Sequence, residues 1–502
     1  MNILGISAGF HDAAVTVIKD DEIVFAGHAE RYSKIKNDSH LNDKLIGEAL
    51  EFGDPDVVSY YERPWAKKLQ QLYSGQYNEA FNFSNYTLGQ YLHQHISNPV
   101  YLESLLRCPR KYMSHHHSHA AGGFQTSPFD RATVVVIDAI GELDTVSIWG
   151  AEYVNGQAKY TKLWGQRYPH SIGLFYSAMT KRVGLRPLDE EYIMMGMAAY
   201  GDKNQYQLLK EMSNSLIKSY KDITFKENLH IGVSDDFAKD ANEMDIATSA
   251  QLVCEELVYS VMTRARDFNW SNNLVYMGGV ALNCLANRRL GDYFENIWIM
   301  PNPGDAGSSL GAAALAHGGR VNWTSASLGT NISGPYPVDG LLDRLLTEQI
   351  VGVASGRAEF GPRALGNRSL LADPRGSEIK EKVNEIKRRQ QFRPFAPVIL
   401  EELADMYFDM PRGWSDNRYM QLVGRCRVPE LFPAIVHHDG TSRIQTVPQD
   451  GSGIRKLLEK WYATTGCPML LNTSLNIRGE PMVNDRTDAD RFEQLYNVKV
   501  LS

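Results

Sequence analysis

His115 and His119 stand four residues apart, in a stretch (His119 to Phe124) that reads as helix. An i, i+4 pair sets two imidazoles on one helix face, about one turn apart. Downstream, Ala132 to Ile137 is a β-branched apolar run ending in Asp138, with Gly141 and Glu142 beyond it. A carboxylate at the C-terminal end of a strand, followed by glycine, is where open α/β folds carry ligand chemistry. Two histidines and one aspartate are a nitrogen and oxygen donor set suited to a first-row divalent metal with open positions. A surface histidine run beside a buried strand is the competing reading.

Two further stretches have the form strand, glycine turn, helix start. Leu274 to Met277 leads into Gly278-Gly279-Val280-Ala281-Leu282-Asn283, and Ile297 to Met300 into Pro303-Gly304-Asp305-Ala306-Gly307-Ser308. Glycine lets backbone approach a ligand, and a helix start offers free N–H groups to an anion. Such turns are also ordinary connectors, but two in succession favour nucleotide binding. Toward the C-terminus, arginines recur among Gly, Ser, Thr and Asn. Arg363 lies in the glycine-rich run 356–369, Arg443 in His438 to Arg443, and Arg478 in Asn472 to Glu480, with Arg375, Lys387, Arg388, Arg389 and Arg393 between them. Guanidinium forks and backbone amides together match phosphoryl oxygens. A solvated basic face is the alternative, yet surface arginines rarely sit in turns so rich in glycine.

The elements that must hold these residues follow from pattern. At 502 residues the chain exceeds a single core, so two or three domains are expected. A hydrophobic content of 43% with 22% charged residues describes a soluble globular protein. No apolar run approaches bilayer length, and the N-terminus reads as a first strand and not a signal peptide, so no membrane partner is expected. The five cysteines are scattered without a C-x-x-C pair, which points to reduced thiols and a cytoplasmic location. A net charge of −7 gives no general nucleic-acid signal.

Asn2 to Ser7, Ala13 to Lys19 and Ile23 to His28 read as a three-stranded meander, with the polar turn Gly9-Phe10-His11-Asp12 after its first strand. Ala132 to Asp138, Thr145 to Tyr153 and Lys159 to Gln166 repeat it, again with an acidic turn after the first strand. A duplicated β-β-β unit followed by helices suggests the actin-like ATPase and sugar-kinase superfold, whose halves clamp a nucleotide. Helices are expected at 42–52, 65–72, 88–95, 171–183, 190–200 and 246–268. The stretch 318–345, rich in Gly, Ser, Asn and Pro, reads as a linker, and a further domain starts near Gln349.

Taken together the motifs resemble the O-carbamoyltransferases of the NodU/CmcH type, which act on nodulation factors, cephems and tobramycin. The resemblance runs almost end to end: HDAA, E-R-[FY]-x-[RK]-x-K, HHxxHAA, the strand ending IDAxGE, MGxAAYG, GGVALN, PGDxGxxLGAA, GRxEFGPRALGNRS, FRPFAP, HxDGTSRxQTV and NTSxNxRGEP. It implies an α/β chain in two domains. Residues 1–335 would be a threonylcarbamoyl-transferase-like domain of actin-like ATPase fold, and 345–502 an α+β, YrdC-like domain that forms carbamoyl-adenylate. It further implies that carbamoyl phosphate and ATP, the latter with Mg²⁺, give carbamoyl-adenylate in the second domain. A hydroxyl then attacks this anhydride in the first domain and AMP leaves.

Residue by residue, the resemblance assigns Arg363, Lys387, Arg393, Arg443 and Arg478 to the carbamoyl phosphate and ATP site, with Asn472 and Thr473 as polar contacts. His115, His119 and Asp138 align with metal ligands, and Asp305 supplies the fourth. The ion is iron(II) by resemblance, with manganese(II) or magnesium as alternatives. His11 aligns with a histidine that takes the acceptor proton, Lys36 with a lysine that steadies charge at the carbonyl, and Asp12, Gly278, Gly279 and Asn283 with the transfer-site nucleotide pocket. The chain departs from the pattern at Ile193, where relatives carry a lysine beside the nucleotide, and at Gln390 and Leu475.

The acceptor is left open: a sugar or natural-product hydroxyl, or the hydroxymethyl group of a modified DNA pyrimidine, in which case DNA is a partner. The variable stretch Tyr60 to Tyr91, with Arg63, Lys67 and Lys68, is where acceptor contacts are expected, since aromatics with scattered cations suit a base or a sugar equally. A monomer and a homodimer are both compatible with the sequence. The rival readings are an inactive nucleotide-binding module and threonylcarbamoyl-type modification of tRNA.

Overall fold

In a computed structural model, which describes residues 1–81, 87–202, 206–414 and 416–502, the duplicated meander extends to five strands on each side. β1 (Asn2–Ser7), β2 (Ala14–Lys19) and β3 (Glu22–His28) run antiparallel; β4 (Val57–Tyr60) and β5 (Arg110–Tyr112) add in parallel beyond β1. In the second sheet β6 (Arg131–Gly141), β7 (Asp144–Val154) and β8 (Gln157–Arg167) are the meander, and β9 (Asn273–Met277) and β10 (Asn296–Trp298) the parallel pair beyond β6. Both sheets therefore read third, second, first, fourth, fifth strand. The tight turns carry residues that tolerate the left-handed region: Asp20 at φ +55° and Asn155 at φ +52° followed by Gly156 at φ +76°.

Three helices matter for the site: α1 (Pro64–Tyr73) after β4, α2 (His115–Phe124) after β5, and α3 (Ser308–His317) after β10. The halves exchange α2 and α3, since α2 packs on β6 and β9 of the second sheet and α3 on β1, β2 and β4 of the first. Between the sheets the helices cross backbone to backbone. A Cβ on Gly311 would lie 1.8 Å from the Ser118 carbonyl oxygen, so only glycine permits this approach. Both helices are almost wholly buried and rich in small residues, which makes them the central layer of the first two-thirds of the chain.

Beyond α3 the segment expected as a linker is structured. Ser327–Ile332 is a strand paired with Gly356–Glu359, and Val338–Glu348 is a helix that buries Leu341 and Leu345. Gly, Ser and Pro punctuate this stretch, but its apolar residues are spaced to fill a second core. That core covers a six-stranded mixed sheet in the order 445–447, 396–400, 469–474, 368–372, 350–354, 500–501. The other helices fall within a few residues of expectation, for instance Glu243–Asp267 for 246–268 and Glu191–Met197 for 190–200. Among the described residues no helix is long and apolar enough to cross a membrane.

Candidate active site

His115 opens α2 and His119 follows one turn later, both buried, with Ser118 between them donating to the Tyr61 carbonyl at 2.8 Å. Asp138 comes from near the end of β6 and Asp305 from the turn just before α3, so the crossing of α2 and α3 brings His115, His119 and Asp305 to Asp138. Their donor atoms lie within 4.8 Å of one another. His115 Nε2 stands 3.1 Å from Asp138 Oδ2, 3.3 Å from Asp305 Oδ1 and 3.1 Å from His119 Nε2. His119 Nε2 stands 3.2 Å from Asp305 Oδ1 and 3.6 Å from Asp138 Oδ2.

These separations match the edges of a tetrahedron, about 3.4 Å, whose centre lies about 2.1 Å from nitrogen and oxygen corners. Charge makes the same case. Burial disfavours the Asp138 and Asp305 carboxylates, but His115 and His119 hold Asp138, and His115 with His11 holds Asp305, well below the ordinary carboxylate range. Burial likewise opposes a charged His115, and the aspartates, Asp305 first, raise it well above the usual histidine value. Two imidazoles facing each other through Nε2 at 3.1 Å repel when both are protonated. A divalent cation at the centre turns that repelling set into ligands, so the residues fit the group that the motifs imply.

His11 lies beside this cluster, in the turn between β1 and β2. Its Nδ1 is 3.0 Å from Asp12 Oδ2 and its Nε2 3.6 Å from Asp305 Oδ2, with the side chain 30% exposed. Desolvation opposes its charge, but Asp12 and Asp305 together push it up to about 9. Lys36 donates to Glu30 Oε2 at 3.0 Å, and Asp12 adopts φ +52°. All three side chains face a cavity of about 500 Å³, as do Asp138 and Asp305.

The same cavity reaches the arginines: Arg363, Arg393, Arg443, Arg478, Lys387 and Thr473 line its far end. Burial, then Arg443 and Arg393, bring Arg363 down to about 9. Arg443 and Arg393 are also lowered, with burial the leading cause in each. No carboxylate pairs with Arg363, Arg393 or Arg443 among the described residues, and Arg443 Nε has no hydrogen-bond partner. A half-buried cluster of this sign, lining a cavity, lacks an anion.

Some expected residues do other work. Lys387 donates to the Ser474 carbonyl, the Asn476 carbonyl at 2.8 Å and Asn476 Oδ1 at 3.0 Å, so its ammonium clamps the 474–478 loop. Arg478 is bound to Glu190 Oε1 at 2.8 Å, across from the first part of the chain. Asn472 does not face the cavity; its amide donates to the Ala364 carbonyl at 3.1 Å and Gln445 Oε1 at 2.7 Å. Gly278 also lies off the lining, and at φ +91° a Cβ there would meet the Ile137 carbonyl oxygen at 2.2 Å. Gly279 and Asn283 do line it; Asn283 exchanges two 3.0 Å hydrogen bonds with Gln251 and caps the short helix 284–287. Ile193 is in the core, while its neighbour Tyr192 faces the cavity with Arg393 over its ring at 4.9 Å. Of the acceptor stretch, residues 82–86 lie outside the described residues.

The sequence gives no sign of Tyr192, and Arg389, read there only as part of the basic run, has no place among the residues the resemblance assigns. Arg389 lines the cavity, and burial with Arg393 holds it well below the usual arginine value.

The chain's similarities to other proteins span both ends of this cavity. A family model described as carbamoyltransferase N-terminus matches residues 2–314, and one described as carbamoyltransferase C-terminus matches residues 342–502. An uncharacterized protein of Synechocystis sp. is 33% identical over 98% of this chain and 94% of its own length. Nodulation protein NolNO of Sinorhizobium fredii is 29% identical, covering 95% of this chain and 76% of its own. The 3'-hydroxymethylcephem-O-carbamoyltransferase of Amycolatopsis lactamdurans is 27% identical, covering 95% and 94%.

Proposed function

This chain belongs to the carbamoyltransferase family and is a transferase, and we propose that it makes carbamoyl-adenylate from carbamoyl phosphate and ATP and passes the carbamoyl group to an acceptor hydroxyl. One observation carries the reading: a single cavity has a cluster lacking a cation at one end and a cluster lacking an anion at the other. We assign the first end to residues 1–335, an actin-like ATPase fold, and the second to residues 345–502, a YrdC-like fold. The duplicated five-strand sheets support the former, and the bounds of the two family matches support the division.

At the arginine end, Arg363, Arg393 and Arg443 neutralise the phosphates of the two substrates, with Thr473 as a polar contact and Lys387 and Arg478 shaping the adjoining loop. Water takes phosphate from carbamoyl phosphate; the carbamate oxygen then attacks the α-phosphorus of ATP, and pyrophosphate leaves. The anhydride stays inside the common cavity, away from hydrolysing water. At the other end the acceptor oxygen attacks the carbamoyl carbon, His11 in its neutral form takes the hydroxyl proton, and AMP departs; a cation offsetting Asp305 would remove part of the charge that raises His11 and so favour that form. Lys36 faces the same space as a cation for the carbonyl, and Gly279, Asn283 and Asp12 border the nucleotide. His115, His119, Asp138 and Asp305 would hold a divalent ion, iron(II) by family resemblance, whose Lewis acidity offsets charge on the leaving phosphate. The acceptor is a hydroxyl on a small molecule or on a modified DNA base. Five free cysteines, four of them buried, fit a reducing, cytoplasmic setting.

The test is pyrophosphate release from ATP by the purified chain with and without carbamoyl phosphate. Release that depends on carbamoyl phosphate is expected; its absence would remove the adenylate step.

A further inference from the structure

His115 has a second nitrogen that the four-residue cluster does not use. Its Nε2 faces Asp138, Asp305 and His119, while its Nδ1 points the other way and has no hydrogen-bond partner among the described residues. The nearest carboxylate on that side is Glu62, whose Oε2 lies 3.6 Å from Nδ1 and is itself buried without a hydrogen-bond partner. Two buried polar atoms of opposite character, each unsatisfied and facing the other, are costly apart and satisfied together. A movement of less than about 1 Å brings them to ordinary hydrogen-bond distance.

We propose that Glu62 is a positioning residue for the metal centre: its carboxylate accepts the Nδ1–H of His115, which fixes the bare Nε2 toward the ion and strengthens it as a donor. The proposal rests on reading His115, His119, Asp138 and Asp305 as a divalent-ion site. A ligating imidazole must carry its proton on the nitrogen away from the metal, and a carboxylate there holds the ring in that tautomer and orientation. Glu62 is not a further ligand, because it approaches the nitrogen that points away from the other three groups.

A cation stands close to Glu62 at this depth. Lys67 Nζ stands 3.9 Å from the same Oε2, on the inner face of α1, and also lies over the ring of Phe10 at 4.5 Å. Phe10 in turn packs on His11, ring centroids 4.9 Å apart. The start of α1 is tied down independently, because the Arg63 backbone N–H donates to the buried Glu142 at 2.8 Å and its guanidinium grips the same carboxylate. Lys67 of α1 therefore bears on both Glu62 and the Phe10–His11 turn, and Glu62, just before the helix, is the contact that reaches a ligand.

The test uses the full chain stripped of metal with a chelator and titrated with Mn²⁺ alone, for the wild type, Glu62→Gln and Glu62→Ala. The expected result is an Mn²⁺ affinity about 10- to 100-fold weaker, with Glu62→Ala the more affected. The thermal midpoint of the stripped Glu62→Gln protein should stay unchanged, and its Co²⁺ absorption bands should shift with the altered donor. Should Glu62→Ala fail to fold, Glu62→Gln decides. Wild-type affinity in the variants, or a lowered midpoint of the stripped protein with unchanged affinity, would overturn the proposal and leave Glu62 a purely structural partner of Lys67. A wild type that binds no Mn²⁺ would instead remove the metal reading itself, and this proposal with it.

Discussion

The two ends of the cavity are opposites in charge and in the way they are built. At one end, two buried carboxylates and two imidazoles crowd within 4.8 Å of each other, carried by helix starts and a strand end of a duplicated fold. At the other, Arg363, Arg389, Arg393 and Arg443 line the cavity with no carboxylate paired to them among the described residues, and burial lowers each of them. The first arrangement is short of a cation and tolerates little movement. The second is short of an anion and is held by loops, one clamped by Lys387 and one tethered through Arg478 to Glu190. The contrast teaches that a site's missing partner can be read from the sign of the charge left uncompensated in it.

The largest effect should come from removing a residue that belongs to one end only. With an acceptor that the wild type carbamoylates, His11→Ala should cut transfer about 10²- to 10⁴-fold and leave pyrophosphate formation intact. Equal losses of both products, measured in one reaction mixture, would leave His11 without a specific part in transfer. Next, Asp305→Ala should weaken Mn²⁺ binding more than the second-layer change at Glu62, beyond about 100-fold. Unchanged metal content would dissolve the cation-seeking end altogether.

Smaller effects sharpen the contrast in rigidity. Gly311→Ala places a methyl 1.8 Å from the Ser118 carbonyl and must part α2 from α3, at a cost of about 1–3 kcal/mol. Denaturant unfolding measures that cost, and Mn²⁺ affinity should fall with it, since the same crossing carries His115, His119 and Asp305. The smallest effect belongs to the loop-built end. Glu190→Gln removes a partly exposed ion pair with Arg478, so the KM for ATP or carbamoyl phosphate should move by no more than about fivefold. A change far beyond that would make the tether part of the site.

What could be read from the sequence follows the same division. The meanders were legible because strands of β-branched residues with polar turns have a strong period, and because the pattern occurs twice. His115, His119 and Asp138 were legible because helix spacing and a strand end are local geometry. The arginines were legible as a phosphate lining from their glycine-rich turns, but which of them meet was not, and Asp305 as a ligand needed the family resemblance, since only tertiary folding brings it to the histidines. Gly278 and Asn472 stand beside true lining residues, Gly279 and Thr473, and which wall a side chain faces is not written in a turn. The segment 318–345 misled by composition: Gly, Ser and Pro outweigh Leu341 and Leu345, yet those two residues bury the helix. Glu62 carried no signal at all, a lone glutamate after a strand whose meaning depends on where α2 arrives.

The most direct measurement is carbamoyl phosphate-dependent pyrophosphate release compared in the wild type, Arg443→Ala and His119→Ala. Release is expected in the wild type, with its loss in Arg443→Ala and its retention in His119→Ala, because adenylation belongs to the anion-seeking end alone. Retention in Arg443→Ala, or equal loss in both variants, would contradict the assignment of separate chemistry to the two ends.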